Sequence, residues 1–165
     1  MSKSDAFLQA GKTAVLQNIH GTMQFLQRFP PFNQMENTHL AFLVEQCQLR
    51  FYGPGESIIR PTDGPVDHFY IVKQGRVVGE RTHVGREGAE TTFEITAGEC
   101  FPLAALLGER ATRTEHRAAE DTFCLQLNKP AFIKLFALSD EFRDFALRGV
   151  SSLLDKVNQQ VQQKA

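Results

Sequence analysis

Tryptophan is absent from this chain, and cysteine occurs only three times, at Cys47, Cys100 and Cys124. An odd number of widely separated thiols suits a reducing cytosol better than a disulfide framework. An excess of charge of one sign is lacking too, because 18 Lys and Arg against 19 Asp and Glu leave a net charge of −1. That balance argues against a broad nucleic-acid surface or an anionic-membrane surface. No apolar run approaches the roughly 18 residues that a membrane span requires. The start, Met1-Ser2-Lys3-Ser4-Asp5, lacks the apolar region of a signal peptide. There is no His-x-His pair of the kind a metal-binding cupin barrel keeps, so His68, His83 and His116 read as solvated or hydrogen-bonded histidines. No Ser/His/Asp or Cys/His arrangement has supporting context, so no catalytic residue is expected. These absences leave a cytoplasmic, non-catalytic protein with no metal, nucleic-acid or membrane partner.

What is present is ordinary globular material. The 165 residues suit one domain, and a hydrophobic fraction of 42% can build one core. From about Asp5 to Gln27, Leu8, Val15, Ile19, Met23 and Leu26 recur at helical spacing. Phe29-Pro30-Pro31-Phe32 must end that helix, since proline blocks a helix interior and pushes its predecessor to extended geometry. A second helix fits Glu36–Gln46, capped by Asn37 or Thr38, with Leu40, Leu43, Val44 and Cys47 on its buried side.

The texture then becomes that of short strands. Leu49–Tyr52, Ser57–Arg60, His68–Val72, Arg76–Thr82, Glu90–Ile95, Thr114–Ala119 and Thr122–Leu127 are predicted strands, with turns at Gly53–Glu56, Pro61–Pro65, Lys73–Gly75 and Glu120–Asp121. Arg76–Thr82 is expected to pair with His68–Val72 as a hairpin. Residues 84–88 read as a polar hairpin tip. Strands this short, turned every eight to twelve residues, indicate a jelly roll or another closed β-sandwich. Helix returns over Lys129–Ala137, started by Pro130, and again after Ser139 or Asp140, with Phe142, Phe145, Ala146, Val150, Leu153, Leu154, Val157 and Val161 at three-four spacing. The stripe from Val150 to Val161 would either fold back on the domain or pair in a homodimer.

One stretch carries chemistry. Gly98-Glu99-Cys100-Phe101-Pro102-Leu103-Ala104-Ala105-Leu106-Leu107-Gly108 runs into the basic residues Arg110, Arg113 and Arg117. Pro102 suits the first position of a short helix, having no N–H to orphan. Free N–H groups there, with arginines beside them, would form an anion site. Cys100 lies next to it, where a helix N-terminus would lower a thiol pKa, although a buried structural thiol is the plainer reading.

Four strings in order then point to a family. Phe29-Pro30-Pro31-Phe32 with Leu40 and Leu43, Tyr52-Gly53-Pro54-Gly55-Glu56-Ser57-Ile58-Ile59, His68-Phe69-Tyr70-Ile71-Val72-Lys73-Gln74-Gly75-Arg76-Val77 and the Gly98–Thr114 stretch resemble the cyclic-nucleotide-binding domain family. The resemblance covers about Phe29 to Leu154. It implies a mainly β fold, a double-stranded β-helix (jelly roll) with N- and C-terminal helices. The expected division is an N-terminal helix over 1–28, the β-roll over 29–138 and a C-terminal helix over 139–165. The resemblance also makes Gly98–Thr114 the phosphate-binding cassette, whose usual form has a glycine, a glutamate for the ribose hydroxyl and an arginine for the cyclic phosphate. Here Pro102 stands at the glycine, Leu103 at the glutamate and Thr112 at the arginine, with Arg113 one residue on.

The expected ligand-binding residues are therefore Phe101, Pro102, Leu103, Ala104, Ala105, Arg110 and Arg113, with Arg117 a further candidate. The ligand would be a cyclic nucleotide or another nucleotide or anion, and no cofactor is assigned. The wording of the cassette, with Arg117–Cys124 and Phe142-Arg143-Asp144-Phe145, is similar to a narrower branch. There the domain precedes a CBS pair and a nucleotidyltransferase-like region in bacterial signal-transduction proteins. That likeness implies a regulatory input module cut from a longer chain. The alternative is a docking or dimerisation module that no longer binds a small molecule.

Overall fold

A computed structural model describes residues 18–82 and 90–150. The expectations for Leu8, Val15, His83, the hairpin tip at 84–88 and the stripe from Leu153 to Val161 lie outside those residues. Helix α1 covers residues 18–26 and is followed by a 3-10 turn at Phe32–Gln34 and helix α2, Asn37–Gln46. Glu36 occupies the N-cap of α2 and no side chain caps it, so neither Asn37 nor Thr38 has the expected role; both already lie inside the helix.

Eight strands follow: β1 Gln48–Tyr52, β2 Ser57–Ile59, β3 His68–Gln74, β4 Arg76–Thr82, β5 Glu90–Thr96, β6 Cys100–Phe101, β7 Thr114–Ala118 and β8 Thr122–Asn128. Helix α3, Leu103–Leu107, interrupts them after β6. Helix α4, Lys129–Leu138, follows β8, and helix α5 covers residues 140–150. The strands form two antiparallel four-stranded sheets, ordered β1-β8-β3-β6 and β2-β7-β4-β5, which is the expected jelly roll with flanking helices.

The predicted hairpin between β3 and β4 does not form. β3 pairs with β8 and β6, whereas β4 pairs with β5 and β7 in the other sheet. Gly75 alone separates the two strands, one residue fewer than the tight hairpin loop requires. It sits at φ +97°, and the site of a Cβ there lies 2.5 Å from the Asp121 carbonyl oxygen, so the chain swings from one sheet to the other on a residue without a side chain.

β3 explains where the core sits. Phe69, Tyr70, Ile71 and Val72 are all buried, although successive strand side chains point to opposite faces. Both faces are covered. Phe69 packs outward against Phe132 of α4 and Phe142 of α5, with ring centroids 5.2 and 5.7 Å away, while Tyr70 stacks inward on its cross-strand partner Phe101 at 5.1 Å. β7, open on one face, shows instead the strict alternation of a half-buried strand. The helices are fixed locally. The Asn128 side chain accepts from the Ala131 N–H at 2.9 Å to start α4, and Ser139 Oγ accepts from the Phe142 N–H at 3.1 Å to start α5. Leu26 of α1 and Phe142 of α5 are fully buried in the same core as the roll.

Candidate functional site

The turn at Ala97–Gly98 returns the chain from β5 into β6. Gly98 has φ +87°, and a Cβ there would stand 2.4 Å from the Phe29 ring. That close approach brings the Phe29-Pro30 bend against the cassette and closes one side of a cavity of about 400 Å³. Phe93 and Ile95 of β5 form a second wall, and Thr112, Thr114 and His116 a third. Phe145 and Gly149 of α5 lie over the cassette, with Leu103 Cδ1 only 2.7 Å from where a Gly149 Cβ would be.

All seven residues singled out from the sequence, Phe101, Pro102, Leu103, Ala104, Ala105, Arg110 and Arg113, line this cavity. Arg117 does not. It lies on β7 and pairs with Glu80 of β4. Thr112, expected from the resemblance to stand at the arginine position, is buried, and its hydroxyl is held by the Thr114 backbone at 3.0 Å in both directions. Pro102 is not the first residue of α3 but its N-cap, in extended geometry after a cis peptide bond, with no side-chain cap. The helix itself has five residues, too few for a sizeable dipole, so positive charge at this site belongs chiefly to the arginines.

Two further residues that the sequence reading did not place at the site contribute to it. Arg81 of β4 lines the cavity, from the strand next to β7 and opposite Thr114. Its pKa is lowered by burial and then by the neighbouring Arg113 and Arg110 guanidinium groups. His116, expected to be solvated or hydrogen-bonded, is 3% exposed, and its Nδ1 has no hydrogen-bond partner among the described residues. Burial drives its pKa down to about 3, only partly opposed by a backbone hydrogen bond with Thr114, so the ring is neutral at pH 7. It stacks on Phe101 at 4.7 Å and meets Phe93 edge-on at 6.3 Å. Tyr70, Phe101 and His116 thus form a continuous column of rings from β3 to β7. The only signal for His116 in the sequence was its place on the inward face of an alternating strand.

Cys100 does not behave as an activated thiol. Burial, then the Glu99 charge, push its pKa well above the ordinary value, because it lies in β6 and not at an exposed helix terminus. Among the described residues no three His, Cys, Asp or Glu side chains gather as a metal site, and no helix is long and apolar enough to cross a membrane.

A family model described as "Cyclic nucleotide-binding domain" matches residues 49–139, more than half of the chain. Similar solved structures include the regulatory domain of Toxoplasma gondii PKA co-crystallised with cAMP, at 20% identity and a TM-score of 0.75 over 86% of this chain and 52% of that one. A regulatory subunit of a cAMP-independent protein kinase A from Trypanosoma cruzi, bound to guanosine, is similar at 19% identity and a TM-score of 0.75, covering 91% of this chain and 52% of its own. The catabolite activator protein of Thermus thermophilus shares 25% identity at a TM-score of 0.58, covering 78% of this chain and 58% of its own. This chain spans about half the length of the two kinase regulatory proteins.

Proposed function

The chain belongs to the cyclic nucleotide-binding domain family, and from that premise we propose that it is the ligand-sensing module of a signal-transduction protein, with an altered phosphate-binding cassette. As a member of that family it is a regulatory, non-catalytic domain. The observation that carries the reading is the 400 Å³ cavity between the cassette, the roll and α5, lined by both arginines and stacked rings. It falls in the size range of small-molecule sites, and the similar structures that hold cAMP and guanosine support a nucleotide-sized occupant. A docking module would have no need of such a cavity, which favours the ligand reading over that alternative.

The altered cassette follows from two residues. Leu103, at the ribose-binding position of the family, offers hydrocarbon and packs against Gly149. Losing a hydrogen bond to a charged group costs about 1.5–3 kcal/mol. Pro102 has no N–H to donate. Cyclic AMP or cyclic GMP held in the family's usual manner is therefore weakened by about one to several orders of magnitude. Because Phe145 and Gly149 of α5 border the cavity, an occupant changes the packing of that helix, and α5 would carry the signal onward. The cassette wording and Phe142-Arg143-Asp144-Phe145 support a downstream CBS and nucleotidyltransferase-like region as what is regulated.

Titration calorimetry against cyclic mononucleotides, cyclic dinucleotides, linear nucleotides and small anions tests this. Saturable binding of at least one of them is expected, with cyclic AMP weaker than micromolar. Submicromolar cyclic AMP binding would refute the altered cassette. No saturable ligand in the panel would return the domain to the docking or dimerisation reading.

A further inference from the structure

Resting on the reading that this cavity holds a nucleotide, the geometry points to a ligand with a terminal phosphate dianion, a 5′-nucleotide. Arg81, Arg110 and Arg113 together would hold it in preference to a cyclic monophosphate. Arg81 lies on β4 opposite Thr114, the first residue of β7, and Arg113 directly precedes that residue in the bend before the strand. Adjacent strands lie about 4.8 Å apart, so the backbones at Arg81 and Arg113 are close enough for both long side chains to reach one group in the cavity that they line. Arg110 enters from the turn after α3, its Nη1 resting 3.2 Å from the Ala111 carbonyl. All three line the one cavity.

The cluster is uncompensated among the described residues. The ion pairs there join other residues, and none includes Arg81, Arg110 or Arg113. Two carboxylates, Glu94 and Glu99, also border the cavity. Glu94 is committed to Arg76 at 2.6 Å, and Glu99 accepts from the Thr96 N–H and hydroxyl at 2.9 and 2.8 Å. The neutral His116 adds no charge. The mutual repulsion of the guanidinium groups already favours the uncharged form of Arg81, after its burial.

A cyclic phosphodiester carries a single charge, which one arginine satisfies. A terminal phosphate is close to dianionic at pH 7 and presents three acceptor oxygens, which suit several guanidinium forks at once. Farther along the same face of the sheet that carries Arg81, Phe93, Ile95 and His116, with Phe101 of β6, give the cavity an apolar, aromatic lining for a base. Arg81 is thus assigned as a specificity-determining residue supplied by the roll and not by the cassette.

Calorimetry on the full chain with AMP, ATP, pyrophosphate, cyclic AMP and a cyclic dinucleotide, at low and at high salt, tests the assignment. AMP or ATP should bind at least about tenfold tighter than cyclic AMP, and that ratio should shrink as salt screens the arginines. Arg81→Gln should bring the ratio towards one, and so should Arg113→Gln at its exposed position; thermal melts of both variants check the fold. Cyclic AMP binding as tightly as AMP, a ratio unchanged in both variants, or a cyclic dinucleotide outbinding every 5′-nucleotide would overturn this assignment while leaving the cavity a ligand site. Absence of binding by every compound would overturn both.

Discussion

His116 makes the stability of this domain depend on pH in the direction opposite to that of a histidine with an acidic partner. An unfolded chain takes up the imidazole proton near pH 6.5, whereas the folded ring resists protonation until about pH 3. Between those values the unfolded state binds more protons, so acidification favours it. The contribution of His116 is intact above about pH 6.5, falls progressively as pH decreases, and levels off below about pH 3. Linkage puts the loss at about 2 kcal/mol by pH 5 and about 5 kcal/mol in full. Carboxylates titrate over the same interval, so the measurement is a comparison with His116→Phe, whose ring suits a slot between Phe101 and Phe93. Urea unfolding of both proteins at pH 7.5, 6.5, 5.5 and 5.0 gives the difference at each pH. The wild type should lose about 2 kcal/mol more than the variant between pH 7.5 and 5.0. A gap that stays constant would refute the argument, because the ring would then be free to reach water or a partner when charged. A side-chain NMR titration supplies a second reading: the His116 resonances should not shift while the protein stays folded above pH 5.

Two other expectations concern the frame of the site. Gly75→Ala places a Cβ 2.5 Å from the Asp121 carbonyl oxygen at φ +97°, and backbone cannot rotate aside; it should cost about 3 kcal/mol, read as a lower urea midpoint at unchanged slope, and a loss below about 1 kcal/mol would mean that the crossing between sheets is adjustable. Burial pushes the thiol pKa of Cys47 and Cys124 up to about 12 and that of Cys100 well above its ordinary value; at pH 8 a disulfide reagent should therefore modify the native protein far more slowly than the unfolded chain, and one thiol reacting at the rate of free cysteine would contradict this.

Most of the elements were legible because their signals are local. The alternation of β7, the Gly/Pro turns, Pro130 at the start of α4 and Ser139 before α5 each act within a few residues of where they stand. That Phe101 to Ala105 line one cavity was legible for the same reason: they are contiguous, and wherever β6 and α3 are placed they arrive together. The missed hairpin shows the limit of such signals. β3 and β4 are adjacent in sequence and both have strand character, yet which edge each one joins depends on β8, β6, β5 and β7.

The amino-acid sequence by itself determined the helix–roll–helix order, through periodicity and turn chemistry, and the family, through motifs that stand in order along the chain. Only the tertiary structure decided what the cassette faces. Arg81 reaches Arg110 and Arg113 because β4 lies beside β7, and no spacing along the chain encodes that neighbourhood. His116 lost its water because Phe101 and Phe93, from two different strands, close over it. Charge and solvation at a point are sums over everything packed around it, so they exist only once distant segments have met.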